Sequence, residues 1–561
     1  MGYLKKKMMN SIHTCKQVFR IIFLTIITSC VQTHQPDLKS INLQRGELLL
    51  CGDGEFGDVD FSLTCDYSVR DAFDIAVSLL HSFEYDDAER AFVKVIDVDP
   101  DCAMAYWGVA MSIYHSLWSA PTSQEMEKGS LILELAKKIT KTEKEKDYIN
   151  AIGGYFEDWE KIEHKTRAVI MEKRMEKLYK KYKDDSEAAI FYALSLKSTS
   201  DPGDKTRHNE RKAGRILESI FPDKPNHPGI AHYIIHNYDN PELASMALTT
   251  ARRYSNIAPA SAHAQHMPSH IFTRLGLWEE SIVSNIRSAD AAQCYAEASG
   301  KDGHWASEIH ALDYLLYAYL QIGDNKKAIE THDYLKNIKS VWGGNSAYPF
   351  AAYASRLALE NKNWELAAKI EIPEIIKEWG IYPWEKSIIH FSKGLGGAQI
   401  GDLQLAKSEL IEIKGLYKQL LDQKEIYKAK QVLIQVKSLG AWLEFAKGNY
   451  SNAKLMMQES ATIEDGTEKH PITPGEIIPA NELLGDLLIA IGEPENALIA
   501  YKKSLKRSPN RFNGIYGAAR ASALNGNHEM AANYYRILLQ FAGNSSQRPE
   551  IFEALSYVNK L

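Results

Sequence analysis

An all-α chain is predicted, and three observations predict it. Apolar residues recur at helical spacing through most of the 561 residues, strand-like alternation is nearly absent, and a glycine or asparagine punctuates the chain every fifteen to twenty residues. Together they read as successive helical hairpins. With 45% hydrophobic residues and a formal net charge of -6, the chain has material for a large core and lacks the basic excess of a nucleic-acid binder.

The elements follow in order. Residues 1–30, MGYLKKKMMNSIHTCKQVFRIIFLTIITSC, place lysines and an arginine before the apolar run IIFLTII and small residues before Cys30, which is the anatomy of a secretion signal. The run falls short of the about 20 residues of a membrane span. Ile27-Thr28-Ser29-Cys30 resembles the bacterial lipobox, which implies a lipidated Cys30 and an exported lipoprotein of the cell envelope, at the outer membrane or the periplasmic face. Residues 31–66 then form a short extended segment. Cys51 and Cys65 bracket GDGEFGDVDFSLT, whose glycines suit a hairpin stapled by a Cys51–Cys65 disulfide; free thiols are the alternative. Cys102 and Cys294 sit in helical patterns and read as buried small residues.

From residue 67 to 561 the hairpins repeat. FEYDDAERAFVKVIDVDP followed by AMAYWGVAMSI, and IGEPENALIAYKKSLKRSPN followed by RFNGIYGAARASALNGNHEMAANYYRILL, match the tetratricopeptide pattern of 34 residues. Ala88, Ala497 and Ala531 stand at repeat position 20, and Pro100 and Pro509 at position 32, where proline ends the second helix. The chain therefore resembles the tetratricopeptide repeat (TPR) family over most of residues 67–545. HPGIAHYIIHNYD and HAQHMPSHIFTRLGLW further resemble largely uncharacterised bacterial members. The resemblance implies a right-handed α-α superhelix of about ten repeats, with degenerate or extended units at 120–225 and 285–310. The tract 460–480 carries three prolines and reads as an ordered loop or insertion.

Family register places the histidines. With Pro259 at position 32, His232 and His236 fall at positions 5 and 9, where first helices line the concave face. In the next repeat His263, His266 and His270 fall at 2, 5 and 9, and Arg274 at 13. The offset is 34 twice, from 232 to 266 and from 236 to 270. A third first helix brings His310, Asp313 and Tyr317 to positions 2, 5 and 9. Side chains at i and i+4 share a helix face, so His232, His236, His266 and His270 are the candidate ligands of a divalent transition metal, Zn, Cu, Ni or Fe. His263, Arg274, His310, Asp313 and Tyr317 complete the candidate groove. Pro268 stands between His266 and His270, where it breaks a helical hydrogen bond and puts their shared face in question. His81 and His115, at position 13 of the first two repeats, lie several repeats away along the same face.

Weaker candidates are Glu482, Asp486, Tyr516 and Arg520, a solvated interaction surface, and Trp107, a packing residue or a peptide grip. His470 and Glu476 belong to a shaped loop or to a lid over the concave face. No HExxH, phosphate loop, nucleophile elbow or zinc-type cysteine pair occurs. Two readings follow. One is an envelope-anchored module that binds a peptide, a protein segment or a small ligand in a histidine-lined groove; the other is a metal-binding protein or metal-dependent enzyme.

Overall fold

A computed structural model describes residues 38–50, 55–117, 120–201, 203–542 and 546–560. The signal segment, Cys30 and Cys51 lie outside them. The chain divides into two units, Met1–Asn42 and Leu43–Leu561. The first contributes the 3-10 turn Leu38–Ser40, and the second is the all-α solenoid. No described helix is long and apolar enough to cross a membrane.

Helices pair in sequence, from Arg70–His81 with Tyr85–Val98 to Phe512–Leu524 with His528–Phe541, and Pro549–Val558 closes the array. Each pair buries small residues where its helices approach: Ala88, Ala497 and Ala531 are all 0% exposed. The stretch 120–225 is as regular as the rest. Ser123–Lys138 and Glu143–Phe156 start at capping boxes, Thr122 with Glu125 and Thr142 with Glu145, and His164–Lys181, Ser186–Ser198 and His208–Ile220 follow. Region 285–310 is extended as expected, because Trp278–Ser299 runs for 22 residues. Two strand residues, His304–Trp305, pair in parallel with Val341–Trp342.

The Cys51–Cys65 staple is not formed. Cys65 is bonded to Cys102, 37 residues on; Cys102 is buried as expected but in a bridge, and Cys294, half-buried, is disulfide-bonded as well. The reason is the repeat itself. A helix pair returns the chain to its starting level, so the residues just ahead of two successive first helices become neighbours; the Asp66 amide donating to Asp99 at 2.8 Å beside the bridge shows the same return. The segment before Cys65 is extended without a strand partner among its described residues. It lies along the first pair, with Leu49 N–H on Asp87, Phe61 N–H on Asp74, and Phe61 seated between Phe73, Trp107 and Tyr148.

The solenoid also meets itself. His232 bonds the carbonyl of His81, and Ser261 donates to Glu84, so the first repeat lies against the fifth and sixth. His81 is thus next to the later histidines, not several repeats away. Further on, Trp278 Nε1 donates to the Asn510 carbonyl, Phe512 N–H to Gln321, and Ser546 to the Gly323 carbonyl. Gly276 permits one of these approaches: it ends its helix at φ +66°, and a Cβ there would strike the Pro509 carbonyl.

A buried cluster of imidazoles

His227 caps the helix Pro228–Tyr238, with Pro228 at its first position, where a missing N–H costs nothing. His232 and His236 sit one turn apart on it. Ser261 caps Ala262–His266, which bears His263 and His266, and Pro268–Leu275 continues from it with His270. Pro268 does not divert this helix. Met267 between the two segments keeps helical angles, φ -54° and ψ -37°; its amide bonds His263 O and His270 N–H bonds back to Met267 O. The lost bond tightens one turn, and His266 and His270 still converge. His310 comes from Ala306–Gln321.

These side chains form two sets of three, not one set of four. The nitrogens of His232, His236 and His263 lie within 4.8 Å of one another, as do those of His266, His270 and His310. In the first set His232 Nε2 faces His263 Nε2 at 3.0 Å; in the second His266 Nε2 faces His270 Nε2 at 3.0 Å. The two sets adjoin, with the His236 and His270 rings 6.4 Å apart. His232, His266 and His270 are buried and the other three half-buried.

The partners of the outer nitrogens fix the tautomers. His232 Nδ1 donates to the His81 carbonyl at 2.6 Å. His270 Nδ1 donates to the Asp239 carboxylate at 3.0 Å, and His266 Nδ1 to Asn285 Oδ1 at 2.7 Å; the Asn285 amide is oriented by its own donation to the Ser281 carbonyl. A neutral imidazole has one N–H. His266 and His270 have both spent theirs outward, so two lone pairs point at each other across 3.0 Å. His236 Nε2 is buried without a hydrogen-bond partner. Protonation is an unfavourable remedy. Burial holds His232, His236, His263, His266 and His310 well below the usual imidazole range. It also lowers His270, aided by Lys469 and Arg274 against the pull of Asp239.

A third set has ligand-like spacing and the opposite electronic state. His81, Glu187 and His227 gather in the core, all buried. Here Ile230 N–H donates to His227 Nδ1, so His227 Nε2–H is free to donate to Glu187 Oε1 at 2.8 Å. Tyr233 O–H supplies His81 Nδ1 at 3.0 Å, and His81 Nε2 reaches Glu187 Oε2 at 2.9 Å. Every lone pair has a proton. Burial opposes the Glu187 charge, but His227 and His81 outweigh it and hold the carboxyl below its usual range. This set is a self-satisfied brace that positions the His81 carbonyl behind His232.

Charge and apolar rings enclose the cluster. Asp239 receives Arg274 Nε at 2.8 Å and Lys469 Nζ at 3.5 Å. Burial works against its ionisation, yet Lys469 and Arg274 together keep its carboxyl well below the carboxylate range. Phe83 packs on His232, His236 and His263 with centroids 4.4, 5.6 and 5.6 Å away, and Tyr254 stacks on His232 at 5.3 Å. Phe83 holds φ +60°, a left-handed position that glycine usually takes after a helix. The ring is retained there despite a strain of about 1–3 kcal/mol. Tyr314 spans His270 Nε2 at 3.4 Å and the Thr473 carbonyl at 3.1 Å.

That last bond ties the proline tract to the site. Residues 466–479 form turns and bends whose greater part, including Lys469 and 473–475, is buried, while Pro471 and Ile472 stay exposed. Gly475 O accepts from Tyr348 and Arg356, Glu476 pairs with Arg507, and His470 packs on Trp384 at 5.1 Å. The remaining groove candidates are engaged within the chain: Arg274 by Asp239, Asp313 by Arg356 at 3.3 Å, and Tyr317 by Arg511 at 2.6 Å. Glu482 pairs with Arg511, Asp486 with Lys362 and Tyr516 with Glu553, while Arg520 lies over the Tyr516 ring. Trp107 packs edge-on to Phe191 and Tyr148, and His115 against Tyr85. Phe83, Asp239, Asn285, Tyr314 and Lys469 were not among the predicted residues. Asp239 alone carried a local signal, two residues beyond Asn237 in HYIIHNYD.

The helix pairs stack as an all-α superhelix, the architecture of tetratricopeptide repeats. The family model of the tetratricopeptide repeat matches residues 478–511, which are the pair Ala480–Ala490 and Pro494–Arg507 with their flanks. No curated protein matches the chain. Among solved structures, it is similar to human IFIT1 in a dimer with m7Gppp-AAAA, at 12% identity over 83% of this chain and 95% of that one, with a TM-score of 0.35. It is also similar to a tetratricopeptide repeat protein from Parabacteroides merdae ATCC 43184, at 15% identity over 67% and 98%, with a TM-score of 0.23. Yeast Tom70 matches at 11% identity over 88% and 96%, with a TM-score of 0.30.

Proposed function

We propose that this chain is a metal-binding tetratricopeptide protein of the cell envelope, anchored through a lipidated Cys30, with a transition metal held by His232, His236, His263, His266, His270 and His310. One observation carries the metal. His266 and His270 oppose lone pairs at 3.0 Å with both Nδ1 atoms committed to acceptors, an arrangement that a cation relieves; the nearby Tyr314 hydroxyl is 3.4 Å from His270 Nε2 and gives its proton to the closer Thr473 carbonyl at 3.1 Å. The brace of His81, Glu187 and His227 is the internal control, since similar spacing there is balanced by protons.

Tetratricopeptide repeats bind peptides, proteins or ligands in general, and that coarser role stands. For this chain we favour a small ligand that reaches the metal over an extended peptide in the groove. Arg511, the 466–479 tract and Arg356 already occupy the partners an incoming peptide would use on Tyr317 and Asp313.

The test is elemental analysis of protein purified without an affinity tag, wild type against His266→Ala/His270→Ala. Stoichiometric metal in wild type that falls in the variant is expected. No metal in wild type after loading with zinc, copper, nickel and ferrous iron in turn would sink the reading.

A further inference from the structure

Resting on that reading, we infer that the cluster is a two-ion centre, in which His232, His236 and His263 hold one monovalent copper ion and His266, His270 and His310 hold a second beside it.

The number of ions follows from the grouping. Six nitrogens round a single ion would lie within one mutual cluster, whereas here they separate into two threes, each within 4.8 Å. Each set contains its own close pair, His232 with His263 and His266 with His270, both at 3.0 Å. One ion relieves one pair. An ion in one set leaves the three nitrogens of the other set outside its shell, so a single occupant fills half of the cluster. The rings of His236 and His270, 6.4 Å apart, join the sets, which places the two ions as neighbours within one chamber.

The charge follows from the donors. All six donors are imidazoles, which bind a metal as neutral ligands, and no thiolate or carboxylate belongs to either set. The nearest anion, Asp239, sits behind His270 and is already matched by Arg274 and Lys469. Two divalent ions would bring four uncompensated charges into a buried site. The cost of burying an ion rises with the square of its charge, so monovalent ions lower that cost about fourfold each. Among metals suited to imidazole, copper alone is stable as a monovalent ion, and three neutral nitrogens in a trigonal arrangement satisfy it without a bound hydroxide. The walls are aromatic: Phe83, Tyr254 and Tyr314 surround the rings.

The experiment titrates the full-length mature protein anaerobically with cuprous ion under a reductant, and separately with zinc, against a chromophoric chelator. Wild type is expected to take two cuprous ions, and His236→Gln and His310→Gln one each, with near-ultraviolet circular dichroism checking that each variant keeps its packing. After oxidation, the copper electron spin resonance signal of wild type is expected to be broadened or lost through its neighbour, and that of either single-ion variant to account for one full spin. A wild type that binds one ion lost by either variant would overturn the two-ion centre while leaving the metal reading intact. Two sharp, independent copper spins would overturn the adjacency. Two zinc ions held more tightly than two cuprous ions would overturn the charge argument, and no metal of either kind would remove both readings.

Discussion

Replacing Asp239 by asparagine measures the charge of whatever the second set of histidines holds. Asparagine keeps the acceptor for His270 Nδ1 and removes one negative charge. Oδ2 of Asp239 is 3.0 Å from that nitrogen; the ring adds roughly 2 Å and a metal–imidazole bond about 2 Å more. The carboxylate therefore sits roughly 7 Å from an ion on Nε2. At an effective dielectric constant of about 20, its attraction is about 2.4 kcal/mol for a monovalent ion and twice that for a divalent one. In dissociation constant this is about 60-fold against about 3,000-fold. The measurement belongs in a Lys469→Met background. Lys469, 3.5 Å from Asp239, has been drawn down to about 8 by burial, with Arg274 adding to it, and would shed its proton once the carboxylate went, which would mask the effect. Chelator competition on Lys469→Met and Asp239→Asn/Lys469→Met, with matched circular dichroism, gives the ratio. A loss near 60-fold is expected. A change under threefold would refute the placement of an ion on His270, and a loss in the thousands would refute its single charge.

Other expectations concern the scaffold. Arg511 is fully buried between Glu482, Glu360 and Tyr317, so Arg511→Met leaves two buried carboxylates unopposed and should cost about 3–5 kcal/mol in urea unfolding; Arg511→Met/Glu360→Gln/Glu482→Gln should recover most of it. Cys102→Ser opens the bridge to Cys65 and should lower stability by about 2–4 kcal/mol, with one new free thiol on titration. Burial raises the Glu464 carboxyl from 4.5 to about 8. Because the folded state holds this proton more tightly, wild type should lose stability as pH rises from about 4.5 through about 8, whereas Glu464→Gln should show a flatter profile. Cys30→Ser should move the protein from the membrane to the soluble fraction of a fractionated bacterial host; retention in the membrane would refute lipidation there.

Period made the fold legible, and the same period limits what it says about the site. Helical spacing and the 34-residue recurrence are local, so hairpins and the approximate depth of each histidine could be read from a window of one repeat. The pairing of those histidines depends on stagger between neighbouring helices. His232 meets His263 and His270 meets Asp239 at a separation of 31, one helical turn less than the repeat. Position 5 of one first helix thus faces position 2 of the next, and the expected set of four becomes two sets of three. The third helix joins at 44, from His270 to Tyr314, because the 22 residues of Trp278–Ser299 lengthen that unit. A stagger of one turn leaves no mark in composition or periodicity. Nor does closure: the His81 carbonyl behind His232 lies 151 residues away, and Thr473 behind Tyr314 lies 159 away.

Closure is also what separates this cluster from a row of histidines on an open groove. On an exposed concave face, water would supply protons to opposed imidazoles and cover their charge. Here the first repeat, the 466–479 tract and the aromatic ring at Phe83 cover much of the cluster, and the acceptors behind His232, His266 and His270 dictate which of their nitrogens keeps its lone pair. Rigidity does the rest. Helices bonded at both ends cannot rotate His266 away from His270 without breaking the neutral bond to Asn285, about 1 kcal/mol, and the charged one to Asp239, about 1.5–3 kcal/mol. The strain of facing lone pairs is therefore kept in the apo fold, where a flexible loop would have relaxed it. A site that stores it in this way binds its ion with little reorganisation, and the order of assembly follows: the solenoid must close before the metal enters, so metal added during refolding should leave the refolding rate unchanged and slow only unfolding.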